Sequence, residues 1–269
     1  MALITFHGSL QFFRPRGAPG TVELSFERAP SLKDVIESLG IPHPEVDLVL
    51  SGGRALSLEA RPAPNDRIDV FGLDRPADLA TLPGLMPAPP DPRRFVLDGH
   101  LGRLARYLRI LGFDSWYERG ARDDALARVS AEEDRILLTR DRGLLKRSIV
   151  RLGYLPRADD PRIQLSEVSE RYALAPLARP FTRCVKCNGL LRPVDRSDVL
   201  ERLANQPRTL RYFDSFSECP DCGSIYWPGS HYERMSAMLT AVLGASRSMH
   251  NEGMRENRHE APARTEGQG

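Results

Sequence analysis

"RILLTRDRGLL", residues 135–145, decides how the middle of this chain is read. Ile136-Leu137-Leu138 is a short apolar run of the kind that makes a strand buried on both faces. Thr139-Arg140-Asp141 ends the run, and Gly143 with a second apolar pair then reads as the first turn of a helix. A buried strand that delivers a carboxylate to its far end, between two arginines, puts charge where open α/β sheets bind ligands.

The flanking sequence repeats the pattern. "RFVLD" (94–98) reads as a strand, and "LGRLARYLRILG" (101–112) as a helix with Leu101, Leu104, Ala105, Leu108 and Leu111 at helical spacing and Gly112 as its stop. "FDSWYE" is a second strand and "DDALARVSAEED" a second helix with Asp at its start. "RILLT" is the third strand, "DRGLLKRSIV" a helix and "GYLPR" a fourth strand. Strands alternating with helices predict an α/β fold, a parallel sheet with flanking helices.

In that sheet Asp98 ends the first strand, Asp141 follows the third, and Asp123 and Asp124 open the second helix at the same edge. Carboxylates gathered on one rim repel one another unless a cation sits among them, and oxygen ligands suit Mg²⁺ or Mn²⁺. Such ions activate water and stabilise the oxygens at phosphorus. Arg103, Arg106 and Arg109, every third residue of the first helix, and Arg140 and Arg142 beside Asp141 are placed to hold a phosphate backbone. A competing reading makes each Asp a helix N-cap, worth about 1 kcal/mol without any catalysis.

The charge distribution agrees with a polyanion partner. Residues 93–157 carry 15 basic and 9 acidic side chains, whereas residues 1–80 carry 8 and 11. The cysteines form two pairs, Cys184 with Cys187 and Cys219 with Cys222, separated by 31 residues. Four thiolates at that spacing predict a closed, structural Zn²⁺ site. The aromatic, basic stretch "YWPGSHYERM" that follows includes His231, a candidate contact to unpaired bases, and its aromatics read equally as a stacking platform or as the hydrophobic wall of the ribbon, packing being favoured for Trp227. "MALITFHGSL" lacks a basic n-region and a true h-region, and no window approaches a membrane span. A cytoplasmic location and no membrane partner are expected.

Before this region, residues 1–80 read as strands, a short amphipathic helix, "PSLKDVIESLG", a hairpin at Gly52-Gly53 and a closing strand, "DRIDVFG". That order resembles the small β-grasp, ubiquitin-like fold, although the free Gly-Gly end of the sulfur carriers is missing. A protein partner for this domain is expected. Residues 81–92, with five prolines, read as a stiff linker. The expected organisation is a ubiquitin-like β-grasp domain at 1–80, the linker at 81–92, the α/β domain at 93–175, a zinc ribbon at 176–240 and a disordered tail at 241–269.

"FVLDGHLGRLARYLRILGFD", "RDDALARVSAEEDRILLTRDRGLL", the two cysteine knuckles and "YWPGSH" together resemble the Mut-seven C-terminal RNase family. The resemblance implies a PIN-like nuclease domain fused to a zinc ribbon, in some members behind a ubiquitin-like domain. It implies hydrolysis of single-stranded RNA to products bearing a 5′-phosphate. The family's acids fall on Asp98, Asp141 and Asp123, with Asp124 as an alternate, and a fourth falls on Asp159 or Asp160. The alternative is an RNA- or ribosome-associated binding adaptor whose acidic site is degenerate.

Overall fold

The computed structural model describes residues 1–25, 30–229, 232, 233, 235–241 and 244. The first strand is β1 (Ala2–Phe6), whose alternation sends Ala2, Ile4 and Phe6 inward. The strand stops at Phe6. Gly8 adopts a left-handed φ of 54°, and the Asp74 carboxylate takes the N–H and the hydroxyl of Ser9 (both 2.6 Å), so a 3₁₀ turn follows instead. β2 (Thr21–Leu24), α1 (Leu32–Ser38), β3 (Leu48–Ser51), β4 (Arg54–Ala55) and β5 (Arg67–Phe71) complete this domain. Ser31 caps α1 by accepting from Asp34 N, and Gly52 and Gly53, both at positive φ, make the β3–β4 turn. The five strands lie in the order β2-β1-β5-β3-β4, with the first and last strands parallel at the centre. That pairing is the β-grasp arrangement.

The second sheet is wholly parallel. β6 (Arg94–Leu97), α2 (Gly102–Ile110), β7 (Asp114–Tyr117), α3 (Asp123–Glu132), β8 (Ile136–Leu138), α4 (Arg142–Leu145) and β9 (Gly153–Tyr154) follow in turn. The strand order is β7-β6-β8-β9. Phe95, Val96, Leu97 and all three residues of β8 are inaccessible, as central parallel strands covered on both faces must be.

The chain divides into two compact units, Met1–Leu108 with Phe113–Ala158, and Arg109–Gly112 with Asp159–Gly269. Both sheets described so far belong to the first. One apolar cluster joins Ile4, Ile36, Ile41 and Val46 of the N-terminal domain to Val96, Leu137, Leu145 and Val150. Polar groups close the same junction. His43 bonds to Glu37 Oε1 (2.7 Å) and Val150 O (2.8 Å), and Leu155 N donates to the buried Glu45 carboxylate (2.8 Å). The Pro-rich stretch after β5 is also fastened. Leu85 N donates to Asp47 O (2.6 Å), and Leu79 and Leu82 pack on Leu48 and Phe71.

The second unit contains α5 (Pro161–Arg171), β10 (Arg192–Val194), α6 (Arg196–Val199), α7 (Pro207–Tyr212), β11 (Phe216–Glu218) and β12 (Ile225–Tyr226). β10, β11 and β12 form an antiparallel sheet over a small core of Val199, Leu203 and Phe216. Among the described residues no helix is long and apolar enough to cross a membrane. Residues 245–269, most of the expected tail, lie outside the described residues, as does His231.

Candidate active site

The order β7-β6-β8-β9 has a switch point between β6 and β8. From β6 the chain moves to one side, and from β7 it crosses back to the other. The crevice beyond the carboxyl ends of those two strands is where such sheets bind ligands. Asp98 directly follows β6, and Thr139, Arg140 and Asp141 directly follow β8. Register keeps them level, since Leu97 pairs with Leu138 and Asp98 N donates to Leu138 O (3.0 Å).

Thr139 joins the two acids. Its hydroxyl donates to Asp98 Oδ2 (2.8 Å) and accepts from Asp141 N (2.9 Å), and the residue is fully buried. Asp141 Oδ1 accepts from Gly143 N (2.6 Å) and Leu144 N (3.3 Å), so the acid is also the N-cap of α4. The other oxygen of Asp98 is held only by a long bond from His100 N (3.4 Å). Asp98 Oδ1 and Asp141 Oδ2 are the oxygens left for a ligand. Tyr117 donates to Gly99 O (3.0 Å) and braces the turn after Asp98, and Gly102 is needed beneath it because a Cβ there would stand 2.7 Å from the phenol oxygen.

The third acid is less closely engaged. α3 begins with Arg122 as an N-cap that makes no side-chain bond, so neither Asp123 nor Asp124 caps it. Asp124 is spent on exposed ion pairs with Arg122 (3.0 Å) and Arg128 (3.6 Å). The hydrogen bond from Arg122, reinforced by the charge of Arg128, holds its carboxyl below the usual range. Asp123 is exposed and outside these pairs. Among the described residues, the group of three or more potential ligands that converges within 4.8 Å is the four cysteines; the acids do not close to that degree. A single hard cation uses only one or two carboxylates and keeps its waters, so it does not need a third acid that close. Asp159 and Asp160 belong to the second unit, where Asp160 caps α5 by accepting from Arg162 N (2.7 Å).

The arginines sort into two groups. Arg103, Arg106 and Arg140 are exposed, as expected of phosphate contacts. Arg109 is not: it is 5% exposed and donates to Val185 O (3.1 Å) and Lys186 O (2.9 Å) beside the first cysteine pair. Steps of three residues lag a 3.6-residue turn by about 60° each, so the third arginine has rotated off the face of the first. Arg142 is also engaged, donating to Phe13 O (3.0 Å).

The cysteines fit zinc. Sγ of Cys184 and Cys222 lie 3.5 Å apart, those of Cys187 and Cys219 3.4 Å, and all four fall within 4.8 Å. Bonds of about 2.3 Å to one tetrahedral Zn²⁺ need only slight expansion of that cluster. Knuckle turns set each pair, with Cys184 N donating to Gly189 O (2.7 Å) and Cys219 N to Ser224 O (2.9 Å). Gly189 is required, because a Cβ would stand 3.0 Å from Cys219 Sγ. The bond with Ser224 (3.3 Å) pulls the Cys222 thiol down to about 6, toward the thiolate a metal needs. Tyr226 braces the cluster. Its hydroxyl sits 3.1 Å from Cys184 Sγ and accepts from Val185 N (3.2 Å), and burial pushes the phenol up. Trp227 packs on the small core, and the Tyr232 ring stacks on Phe181 at 4.0 Å.

Thr139 and Tyr226 are the participants that residue patterns missed. A hydroxyl at the last position of a buried strand, two residues before an Asp, was the signal available for Thr139. Tyr226 had none, since its partner is 42 residues away.

Residues 93–239 match the family model described as the Mut7-C RNAse domain, and residues 1–78 match that of the Mut7-C ubiquitin domain. Neither a curated protein nor a solved structure gives a significant match.

Proposed function

Because the chain belongs to the Mut7-C RNAse-domain family, we propose that it is a divalent-metal-dependent ribonuclease acting on single-stranded RNA. The observation that carries this reading is the pair Asp98 and Asp141, locked to one hydroxyl at the switch point of the parallel sheet. Asp98 and Asp141 would hold Mg²⁺ or Mn²⁺, with Asp123 as the outer third acid. Such an ion supplies an activated water and charge stabilisation at phosphorus. Thr139 fixes Oδ2 of Asp98 and α4 fixes Oδ1 of Asp141, which leaves the more weakly held oxygen of each for the ion. Arg103, Arg106, Arg140 and His100, all exposed, would contact the phosphates of the strand. Zn²⁺ at the four cysteines has a structural role, because a closed four-thiolate site leaves no position for substrate.

The test is cleavage of a labelled single-stranded RNA with Mn²⁺ and with chelator, by the wild type and by Asp98→Asn and Asp141→Asn. Both variants lose cleavage by at least about a hundredfold and keep RNA binding, as removal of a group acting at the reaction centre does. The looser placement of Asp123 favours a second reading, an RNA-binding adaptor without cleavage. Tight, Mn²⁺-indifferent binding by a wild type that cuts nothing would select it.

A further inference from the structure

α4 is a single turn of four residues. One turn does not hold itself in water, because nucleation fixes several residues for one hydrogen bond. Yet this turn supplies the two amides, Gly143 N and Leu144 N, that orient Asp141. Whatever holds α4 therefore holds the acid. Leu144 and Leu145 anchor it in the shared core. Its polar ends are both gripped by the N-terminal domain. At the start, Arg142 Nη1 donates to Phe13 O, and the guanidinium lies 5.9 Å from the Phe12 ring centroid and 5.1 Å from that of Phe13. At the end, Lys146 Nζ donates to Glu37 O (2.6 Å), in the last turn of α1. Phe12 and Phe13 stand edge to face at 5.3 Å, and Arg157 lies over the same two rings.

We infer that the β-grasp domain is a positioning part of the acid site, and that Arg142 transmits its hold to Asp141 through α4. Arg142 is then a positioning residue, not a phosphate contact, although it is the immediate neighbour of Asp141. The effect on cleavage rests on the ribonuclease reading; the effect on α4 does not.

Two measurements on the full chain separate these claims. Phe12→Ala, Arg142→Met, Arg142→Lys and the Phe12→Ala/Arg142→Met double variant are compared with Arg54→Ala, a control in β4 on the same domain. Amide hydrogen exchange is followed at Gly143 and Leu144, and kcat and KM are measured with Mn²⁺ and single-stranded RNA. Phe12→Ala and Arg142→Met each speed exchange at these amides about tenfold. Each lowers kcat about tenfold with KM unchanged, as displacement of an aligned catalytic group does. The double variant is no worse than either single one, Arg142→Lys recovers part of the loss, and Arg54→Ala matches the wild type. Unchanged exchange overturns the inference, and so does a raised KM at constant kcat, which marks an RNA contact. If the wild type cleaves nothing, the ribonuclease reading fails while exchange still decides the positioning. If Arg142→Met does not fold, Phe12→Ala decides alone, because its ring is 44% exposed and its removal leaves the core intact.

Discussion

Thr139 has no acid or base chemistry of its own, yet both acids of the candidate site depend on its hydroxyl. In Thr139→Val the shape survives, while Asp98 Oδ2 and Asp141 N lose their partner together. Leaving such groups unpaired costs about 1–3 kcal/mol, and denaturant melts should show a loss of that size. Cleavage should fall much further than stability, because the Asp98 carboxylate loses its orientation and the backbone at Asp141 its anchor. Thr139→Ser keeps the hydroxyl and should stay within a few-fold of the wild type in the same assay. A valine variant as active as the wild type would remove Thr139 from the site. Asp123 and Asp124 divide at the same scale. Asp124→Asn breaks only exposed ion pairs and is expected to leave cleavage rates unchanged, whereas Asp123→Asn should slow them if the third acid takes part.

At the scale of elements, the cysteine knuckles organise the second unit. Its antiparallel sheet covers only a few apolar side chains, Val199, Leu203 and Phe216 among them, too small a core to stand without a cross-link. The protein should therefore carry one zinc per chain by elemental analysis. Cys184→Ser, or a strong chelator, should release it and abolish amide protection in β10, β11 and β12. Full protection of those strands in metal-free protein would argue that the thiols are only packed. Arg109 belongs to the same element-level design: it ties the end of α2 to the carbonyls at the first cysteine pair, so Arg109→Ala should loosen that knuckle rather than weaken RNA binding.

At the scale of the molecule, the ubiquitin-like domain and the parallel sheet are built on one apolar cluster within one compact unit. Ile41 is wholly buried in that cluster. Ile41→Ala should cost about 2–5 kcal/mol, the range for deleting a large aliphatic side chain. The loss should appear in amide protection of β1 and β8 alike. Loss confined to β1 would mean that the N-terminal domain unfolds by itself. A domain fused in this way already spends the faces around Phe12-Phe13 and His43–Glu45 internally.

Local pattern was enough for much of this protein. The alternation of apolar runs and amphipathic stretches made the parallel sheet legible, and handed crossovers then sent Asp98, Asp123 and Asp141 to one rim. Paired cysteines announced their own cluster, because four thiols at that spacing have few other uses. These features depend on spacing along the chain, which a sequence displays directly. Burial of Arg109, the clamp made by Thr139, the brace from Tyr226, the ion pairs of Asp124 and the fusion of two sheets on one core do not. Each depends on which side chains meet across tens of residues, and hydrophobic packing sets those meetings only when the whole chain closes.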